Sequence, residues 1–450
     1  MYTIVVRSKR DRDALRAVIG TYYKGWDIRV ETLKGVRSPD KARERLTGII
    51  RGDSFTIVLL GREDRNMAKG LEPFLPPTCS VHVLPKARVR NARPLTIHRE
   101  LEKGRAKIRL AASWDSANKA YVLSWRSGMR LEGYSYSPAY DDFFIIGTAF
   151  KDTMDKLLGK DVGHNTLVLR KMGGEHVIYS GEKICATLHI PDHGCRPRGY
   201  ARDVDAINVN LDKLLHVNSG VLRAFETVSK HFLMRFRDKV DVVAVPWSGG
   251  KDSTLALLLA LDVFGHKRVV AVYVDTGVDF PQNKEYVENL AKKLTVKLEE
   301  VKAPVREGLM LEGLPLPTHK NRWCTARKID ALKSKLRELT DRVLVVVGDR
   351  DSESEARSRR PPVREEEGRI VVAPLKQWSS AHVQLFLLSR GIPLNSLYEL
   401  GFYRLGCYIC PALRSWEVYI MAQRDEILRA LSLDPLFKVF MKSRGCAGFI

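Results

Sequence analysis

The chain has 450 residues, an apolar fraction of 44% and a formal net charge of +22 at pH 7. That length exceeds one ordinary core and predicts two or three domains, while the apolar share is that of a soluble globular protein. No run approaches the ~18 apolar residues needed to cross a bilayer, the start Met1-Tyr2-Thr3-Ile4-Val5-Val6-Arg7 lacks a signal-peptide layout, and seven cysteines do not make a disulfide framework. The expectation is a cytoplasmic protein with no membrane partner. The basic excess favours a polyanion, RNA first. A basic, Arg-rich, Gln-poor composition also fits a thermophile.

Residues 1–108 alternate strand-like and helical runs: Thr3–Arg7, the helical Arg10–Tyr22, Ile28–Thr32, the helical Lys41–Ile50, Phe55–Leu60, the helical Arg62–Phe74 and Val81–Leu84. This reads as a small α/β domain without a catalytic constellation. Residues 86–109 concentrate Lys86, Arg88, Arg90, Arg93, Arg99, Lys103, Arg105, Lys107 and Arg109. Such a density either tracks a phosphate backbone or forms a solvated helix face.

Over 109–200 the pattern turns to short strands, Ala120–Trp125, Phe143–Gly147, Thr166–Arg170, His176–Ser180 and Ile184–Ile190, with Gly173-Gly174 as a hairpin turn. A mostly β module is expected. The histidines and cysteines in it, His164, His176, His189, His193, Cys185 and Cys195, lack paired metal-ligand spacing. Residues 201–239 read as a linker and a lead-in helix, Val221 to Lys239, with one apolar face. From 240 to 435 the strands Asp241–Val245, Arg268–Val274, Val296–Val301, Val343–Val347 and Arg369–Val372 alternate with helices. Most are continuous and Val-rich, as strands buried on both faces should be. Val296–Val301 carries Lys297, Glu299 and Glu300 and belongs near an edge. A doubly wound parallel sheet follows, with ligands at the carboxyl ends of its strands. Residues 436–450 read as a C-terminal tail.

The strongest local signal is Ser248-Gly249-Gly250-Lys251-Asp252-Ser253, set between the strand ending at Val245 and a helix opening at Thr254. A strand turning on small residues into a helix gathers free amides and the positive end of the helix dipole, which suits phosphate. Glycines admit close approach, Lys251 adds a point charge, the serines add hydroxyls, and Asp252 can cap amides or help hold Mg²⁺. The glycine spacing is not that of a Walker A loop. Asp275, Thr276 and Gly277 end the next strand, where a carboxylate can reach magnesium or ribose. Cys407-x-x-Cys410, with Cys324, has metal-ligand spacing for zinc or iron. Arg350, Glu353, Arg357, Arg359 and Arg360 follow another strand end and suit bidentate contacts to phosphate or sulfate, a solvated basic loop being the alternative.

The glycine-rich loop resembles the PP-loop of the ATP pyrophosphatase superfamily. With Asp275-Thr276-Gly277, Arg322-Trp323-Cys324-Thr325, Gly348-Asp349-Arg350-Asp351-Ser352-Glu353-Ser354, Arg357 and Arg404-Leu405-Gly406-Cys407-Tyr408-Ile409-Cys410-Pro411, residues 220–430 resemble the phosphoadenosine phosphosulfate (PAPS) reductase family. The resemblance implies a PP-loop fold of the adenine nucleotide alpha hydrolase type, binding ATP, or PAPS or its unphosphorylated counterpart APS, for sulfur chemistry. It implies nucleotide contacts from Ser248 to Ser253 and from Asp275 to Gly277, and substrate contacts from Arg322, Arg350, Glu353, Arg357 and Arg404. It also implies a [4Fe-4S] cluster on Cys324, Cys407 and Cys410, with Zn²⁺ or free thiols as alternatives and Cys446 as a candidate fourth ligand. The strand texture of 109–200 is loosely similar to the PUA modules of RNA-modifying enzymes.

Two departures bear on the reaction. Reductases of the family usually carry Gly-Ala-Glu-Asp in the loop, whereas this chain keeps Gly250 and Lys251, as ATP-splitting members do. The reductase tail Glu-Cys-Gly-Leu/Ile-His is here Arg444-Gly445-Cys446-Ala447-Gly448-Phe449-Ile450. The expectation is an enzyme that adenylates a substrate oxygen and replaces it with sulfur, most simply on tRNA, with Lys251 and Asp252 catalytic and the sulfur donor unspecified. The alternatives are a sulfite-forming reductase using Cys446 as nucleophile and a nucleotide-sensing RNA-binding protein without turnover.

Overall fold

The computed structural model describes residues 1–340 and 342–446. The first sheet comprises β1 (Tyr2–Val6), β2 (Ile28–Thr32), β3 (Phe55–Leu60) and β4 (Cys79–Val83), all parallel in the order β2-β1-β3-β4. Helices Lys9–Tyr22 and Pro94–Arg109 pack on one face; Pro39–Ile49 and Arg65–Leu71 pack on the other. The alternating segments of the sequence therefore form the expected small α/β layer, with boundaries shifted by a residue or two.

The basic run 86–109 differs from its expectation. Most of it is the helix Pro94–Arg109, and much of its charge is consumed internally. Arg88 pairs with Glu63, Arg90 with Asp11, Lys103 with Glu100, Lys107 with Glu72 and Arg105 with Asp351. Arg109 is buried and donates to the Pro138 carbonyl. Local charge density cannot distinguish a phosphate track from a helix whose cations meet carboxylates brought in from distant elements.

Next come β5 (Ser113–Asp115), β6 (Ala120–Val122) and β7 (Met129–Arg130), a small antiparallel sheet. Beside it, β8 (Asp141–Phe144), β9 (Leu167–Arg170), β10 (Glu175–Ser180), β11 (Lys183–His189) and β12 (Arg198–Ala201) form a five-stranded antiparallel sheet in the order β12-β11-β10-β9-β8. Gly173 and Gly174, both at positive φ, turn β9 into β10 as expected. The module is mostly β, and its likeness to PUA modules is one of strand texture alone.

The third sheet comprises β13 (Val242–Pro246), β14 (Val269–Asp275), β15 (Lys297–Lys302), β16 (Val343–Val346), β17 (Val363–Glu366) and β18 (Arg369–Val372). Its order is β15-β14-β13-β16-β18-β17, parallel throughout except for the β17–β18 hairpin. The charged strand β15 lies at an edge, as its composition requires. Helices Leu211–Met234, Lys251–Phe264 and Ser380–Ser389 pack together against one face, and Trp323–Leu339 covers the other. The chain leaves β13 for β14 and β15, then returns to the other side of β13 as β16. The crevice between the carboxyl ends of β13 and β16 is therefore the switch point of the doubly wound sheet, where ligands bind.

The expected C-terminal tail is instead a continuation of the fold. Pro435–Ser443 is a helix that buries Leu436, Phe437, Phe440 and Met441. None of the described helices is long and apolar enough to cross a membrane. The three layers also share one apolar core, which runs from Met1 and Phe55 through Phe144 and Phe225 to Tyr398.

Candidate nucleotide and anion site

The loop after β13 is held from several sides. Gly249 has φ +73°, and a Cβ there would lie 2.2 Å from Asn283 Oδ1, so only glycine fits. Asn283 Nδ2 donates to the Ser248 carbonyl at 2.9 Å, and Asn395 Nδ2 donates to Asn283 Oδ1 at 3.1 Å. The Lys251 amide donates to Tyr398 Oη at 3.0 Å, and the Ser248 and Ser253 hydroxyls meet at 3.2 Å. Ser253 Oγ also donates to the Gly250 carbonyl at 3.0 Å. At the end of β16, a Cβ on Gly348 would fall 2.7 Å from the Asp252 carbonyl carbon, so that strand end is pressed against the first turn of the helix.

A line of alternating charges runs through the switch point. Lys251 Nζ lies 3.2 Å from Asp252 Oδ2, Arg350 Nε lies 2.7 Å from Asp252 Oδ1, and Arg350 Nη1 lies 3.0 Å from Asp141 Oδ2. Arg350 Nη2 reaches Ser380 Oγ at 2.9 Å, and Asp141 Oδ1 accepts the Ser380 amide at 3.0 Å. Burial opposes the ionised Asp141 and Asp252, but Arg350 overcomes it and holds both carboxyls below the usual range. Burial pulls the Lys251 ammonium down.

This geometry revises two expectations. Arg350, 3% exposed, is committed to Asp141 and Asp252 rather than free to clamp a substrate. Both Asp252 oxygens are occupied, which leaves that carboxylate braced between cations instead of open to magnesium. Asp141, on β8, was missed because nothing local marks an aspartate in a β strand as the partner of an arginine far along the chain.

Two cavities adjoin the loop. One, of about 180 Å³, lies at the ends of β13 and β14 and is lined by Trp247, Ser248, Val274, Asp279, Asn283 and Lys328 among others. Its apolar walls suit a nucleoside. The other, of about 400 Å³, lies between the β module and the nucleotide sheet and exposes Lys251, Arg170, Arg322, Arg404 and Arg414. Of the expected substrate residues, Arg322, Arg350, Glu353, Arg357 and Arg404 all border it. Arg357 is paired with Glu353 and with Asp349, at 3.4 Å from the latter, and Arg360 also faces Asp349 at 3.6 Å. Arg404 is exposed.

The Asp275 loop folds onto itself. Asp275 Oδ1 accepts the Gly277 amide at 2.8 Å, and Asp279 Oδ2 accepts the Thr276 amide and hydroxyl at 3.0 and 2.7 Å. Cys407 Sγ donates to Asp279 Oδ1 at 3.4 Å and lies 3.3 Å from Thr276 Oγ1. The cysteine motif is thus stitched to the nucleotide loop.

Among the described residues no group of three or more His, Cys, Asp or Glu side chains is arranged to hold a metal ion. The cluster site expected of Cys324, Cys407 and Cys410 is therefore not formed. Lys328 stands near Cys407, Asp279, Cys410 and Cys324; burial opposes its ammonium, but this acidic neighbourhood, with the Asp279 carboxylate in it, raises its pKa. Cys407 is hydrogen-bonded, and burial pushes its thiol up. As these side chains stand they do not fit a cluster or a zinc ion. Cys446 is fully buried beside Cys195 and Arg444 rather than at either cavity, and burial pushes its thiol up to about 12.

The fold and site together define an α/β nucleotide-binding domain of the PP-loop kind. Residues 242–413 match the phosphoadenosine phosphosulfate reductase domain. The chain is 32% identical over 221 residues to an uncharacterized protein of Methanocaldococcus jannaschii, covering 48% of this chain and 45% of the relative. It is 30% identical over 157 residues to the adenosine 5'-phosphosulfate reductase of Deinococcus radiodurans, covering 34% of this chain and 61% of that enzyme. The chain spans about half the length of the Methanocaldococcus relatives it matches. Among solved structures, the PAPS reductase of Candida auris aligns with a TM-score of 0.34 at 19% identity, covering 42% of this chain and 95% of that one.

Proposed function

We propose that this protein binds ATP at the PP-loop and adenylates an oxygen of an RNA substrate with release of pyrophosphate, after which sulfide-level sulfur from a separate donor displaces AMP, which leaves with that oxygen, tRNA being the simplest acceptor. The observation that carries the reading is Lys251. Its ammonium lies in the wall between the loop amides and the arginine-lined cavity, where it would neutralise a leaving pyrophosphate. Arg350 keeps Asp252 ionised, and Asp252 keeps Lys251 aimed. Magnesium would arrive with the nucleotide, since Mg²⁺ commonly takes its ligands from substrate phosphates and water. The nucleoside would occupy the cavity beside Trp247, and the acceptor would enter past Arg322 and Arg404. A net charge of +22 suits a polyanionic acceptor.

A second reading is a sulfite-forming reductase, favoured by the relatives named for that activity. Against it stands the enclosure of Cys446, whose Sγ donates to the Arg444 carbonyl at 3.6 Å. The deciding experiment measures pyrophosphate release from ATP by anaerobically purified protein, with and without total tRNA. Release that depends on tRNA supports adenylation of RNA. No release, with sulfite formed from PAPS or APS, overturns it in favour of the reductase.

A further inference from the structure

Two cysteines that the nucleotide site does not use meet where the C-terminal helices dock on the β module. Cys446 is fully buried and Cys195 is 9% exposed. They lie more than half the chain apart in sequence, belong to one apolar cluster and are free thiols. The Cys195 thiol is a side-chain hydrogen-bond partner of Cys446, and its Sγ also donates to the Gly445 carbonyl at 3.6 Å. A single buried cysteine is an ordinary small apolar residue. Two whose thiols meet across such a separation call for a reason.

Both backbones are fixed on either side of the pair. The helix Pro435–Ser443 gives way to Gly445, at φ +76°, and the Cys446 amide closes back on the Met441 carbonyl at 2.9 Å. Arg444 donates from Nη1 to the Leu413 carbonyl at 2.7 Å and from Nη2 to the Asp192 carbonyl at 3.1 Å. In the turn that follows β11, the Pro191 carbonyl accepts the Ser415 amide at 3.1 Å, and Asp192 Oδ1 lies 3.2 Å from Arg414 Nε. The turn carrying Cys195 is thus already tied to the segment carrying Cys446, so the thiols face each other without strain on either chain.

We propose that Cys195 and Cys446 form a dithiol site that a small disulfide-bearing oxidant converts to a disulfide, cross-linking the β module to the C-terminal helices. The oxidant enters at Cys195, whose turn exposes Asp192, His193 and Arg196. The Cys195 thiolate attacks one oxidant sulfur, a mixed disulfide forms, and one oxidant thiolate leaves. The Cys446 thiolate then attacks the Cys195 sulfur, the Cys195–Cys446 bond forms, and the second oxidant thiolate leaves. Two electrons pass from the cysteines to the oxidant, and the two thiol protons end on its thiols. Burial and the Cys195 thiol oppose ionisation of Cys446, while Arg444 and Arg196 favour it; capping Cys195 in the mixed disulfide removes one of the two opposing effects. Arg170 of β9 and Arg414 beside the C-terminal helices border the same cavity, so the cross-link braces two of its walls against each other. It also closes a long loop, which restricts the unfolded chain. None of this depends on the reaction proposed above.

Glutathione is the probe. The full chain is equilibrated without air in about 1 mM each of its reduced and disulfide forms, alkylated, and digested without reduction, and linked peptides are identified by mass. The Cys195–Cys446 peptide should account for at least about half of the chains. Linkage is read peptide by peptide, because Cys407-x-x-Cys410 offers a second pair to the oxidant. The oxidised wild type should melt at least about 3 °C above the reduced protein. Cys195→Ser and Cys446→Ala, treated alike, should show neither the linked peptide nor that increment. Mapping in the wild type decides the linkage even where a variant fails to fold. Cys446 recovered alkylated in more than about nine chains in ten, linked to Cys410 instead, or facing a Cys195 that stays capped by glutathione overturns the assignment. Linked and reduced wild type that melt together overturn the bracing role.

Discussion

Replacing Asp141 with alanine tests how far the β module supports the nucleotide loop. In the wild type its carboxylate accepts the Ser380 amide and Ser380 Oγ, each at 3.0 Å, and pairs with Arg350. Arg350 remains buried in the variant with Asp252 as its one remaining ion-pair partner among the described residues. Removing one member of a buried ion pair costs about 3–5 kcal/mol, and an orphaned Ser380 amide adds about 1–3 kcal/mol. A loss of at least about 4 kcal/mol is a large part of the 5–15 kcal/mol of a typical domain. Urea unfolding at pH 7.5 measures it. Asp141→Asn retains an acceptor for Ser380 and should lose less, yet should weaken ATP binding about tenfold because Arg350, no longer braced by the Asp141 carboxylate, can shift and carry Asp252 and Lys251 with it. The pH dependence carries a definite sign. Asp141 and Asp252 have folded-state pKa values below their unfolded ones, so their contribution is present above about pH 4 and is lost as pH falls below it. Asp141→Asn should therefore flatten the acid limb of the stability profile. A midpoint for Asp141→Ala within about 0.5 kcal/mol of wild type, the range of inert surface changes, would refute the reasoning.

Two further outcomes follow. Burial, reinforced by the neighbouring Asp141 charge, pushes the Asp142 carboxyl up to about 7, so the folded state keeps a proton that the unfolded chain releases near pH 4, and stability falls as pH rises between the two. Asp142→Asn removes that penalty, and its stability relative to wild type should improve by roughly 2–3 kcal/mol between pH 5 and pH 8; a difference independent of pH would contradict the burial argument. Gly249→Ala puts a Cβ 2.2 Å from Asn283 Oδ1 at a positive φ, so ATP affinity measured by calorimetry should fall at least tenfold while the far-UV spectrum holds; unchanged affinity would mean the loop is not the phosphate site.

What the sequence discloses here depends on range. The strands of the nucleotide sheet are legible because a parallel strand buried on both faces must be a continuous apolar run, and β15 is legible as an edge because its charges have nowhere to go inside. The loop is legible because strand, small residues and helix fall in register within a few positions. Arg350 shows the limit: its sequence neighbours suggest a phosphate clamp, but its role is set by Asp141 and by Asp252, both remote in sequence. Arg105 shows the same, since only the fold brings Asp351 and Lys376 to it, with Lys376 Nζ 2.7 Å from Asp351. The meeting of Cys195 with Cys446 gives no local signal at all, because the pair exists only once the C-terminal helices dock on the β module.

The same long-range pairing changes how the N-terminal 200 residues should be regarded. Removing them to look for loss of RNA binding would be natural if they formed an appended module. Phe144 exchanges two hydrogen bonds with Gln384, at 2.9 and 3.1 Å, and Arg170 Nη2 donates to the Ser352 carbonyl at 2.6 Å. Phe55 meets Phe225 at 5.2 Å across the join between the first and third layers. A truncated protein would expose that core and strip Asp141 from Arg350 and Arg105 from Asp351, so lost RNA binding would report collapse rather than a missing contact surface. The informative perturbations are single charges at the cavity mouth. Arg322 and Arg404 border the nucleotide side and make no carboxylate ion pair among the described residues. Their removal separates acceptor recognition from folding, because the buried chain from Lys251 to Asp141 stays intact.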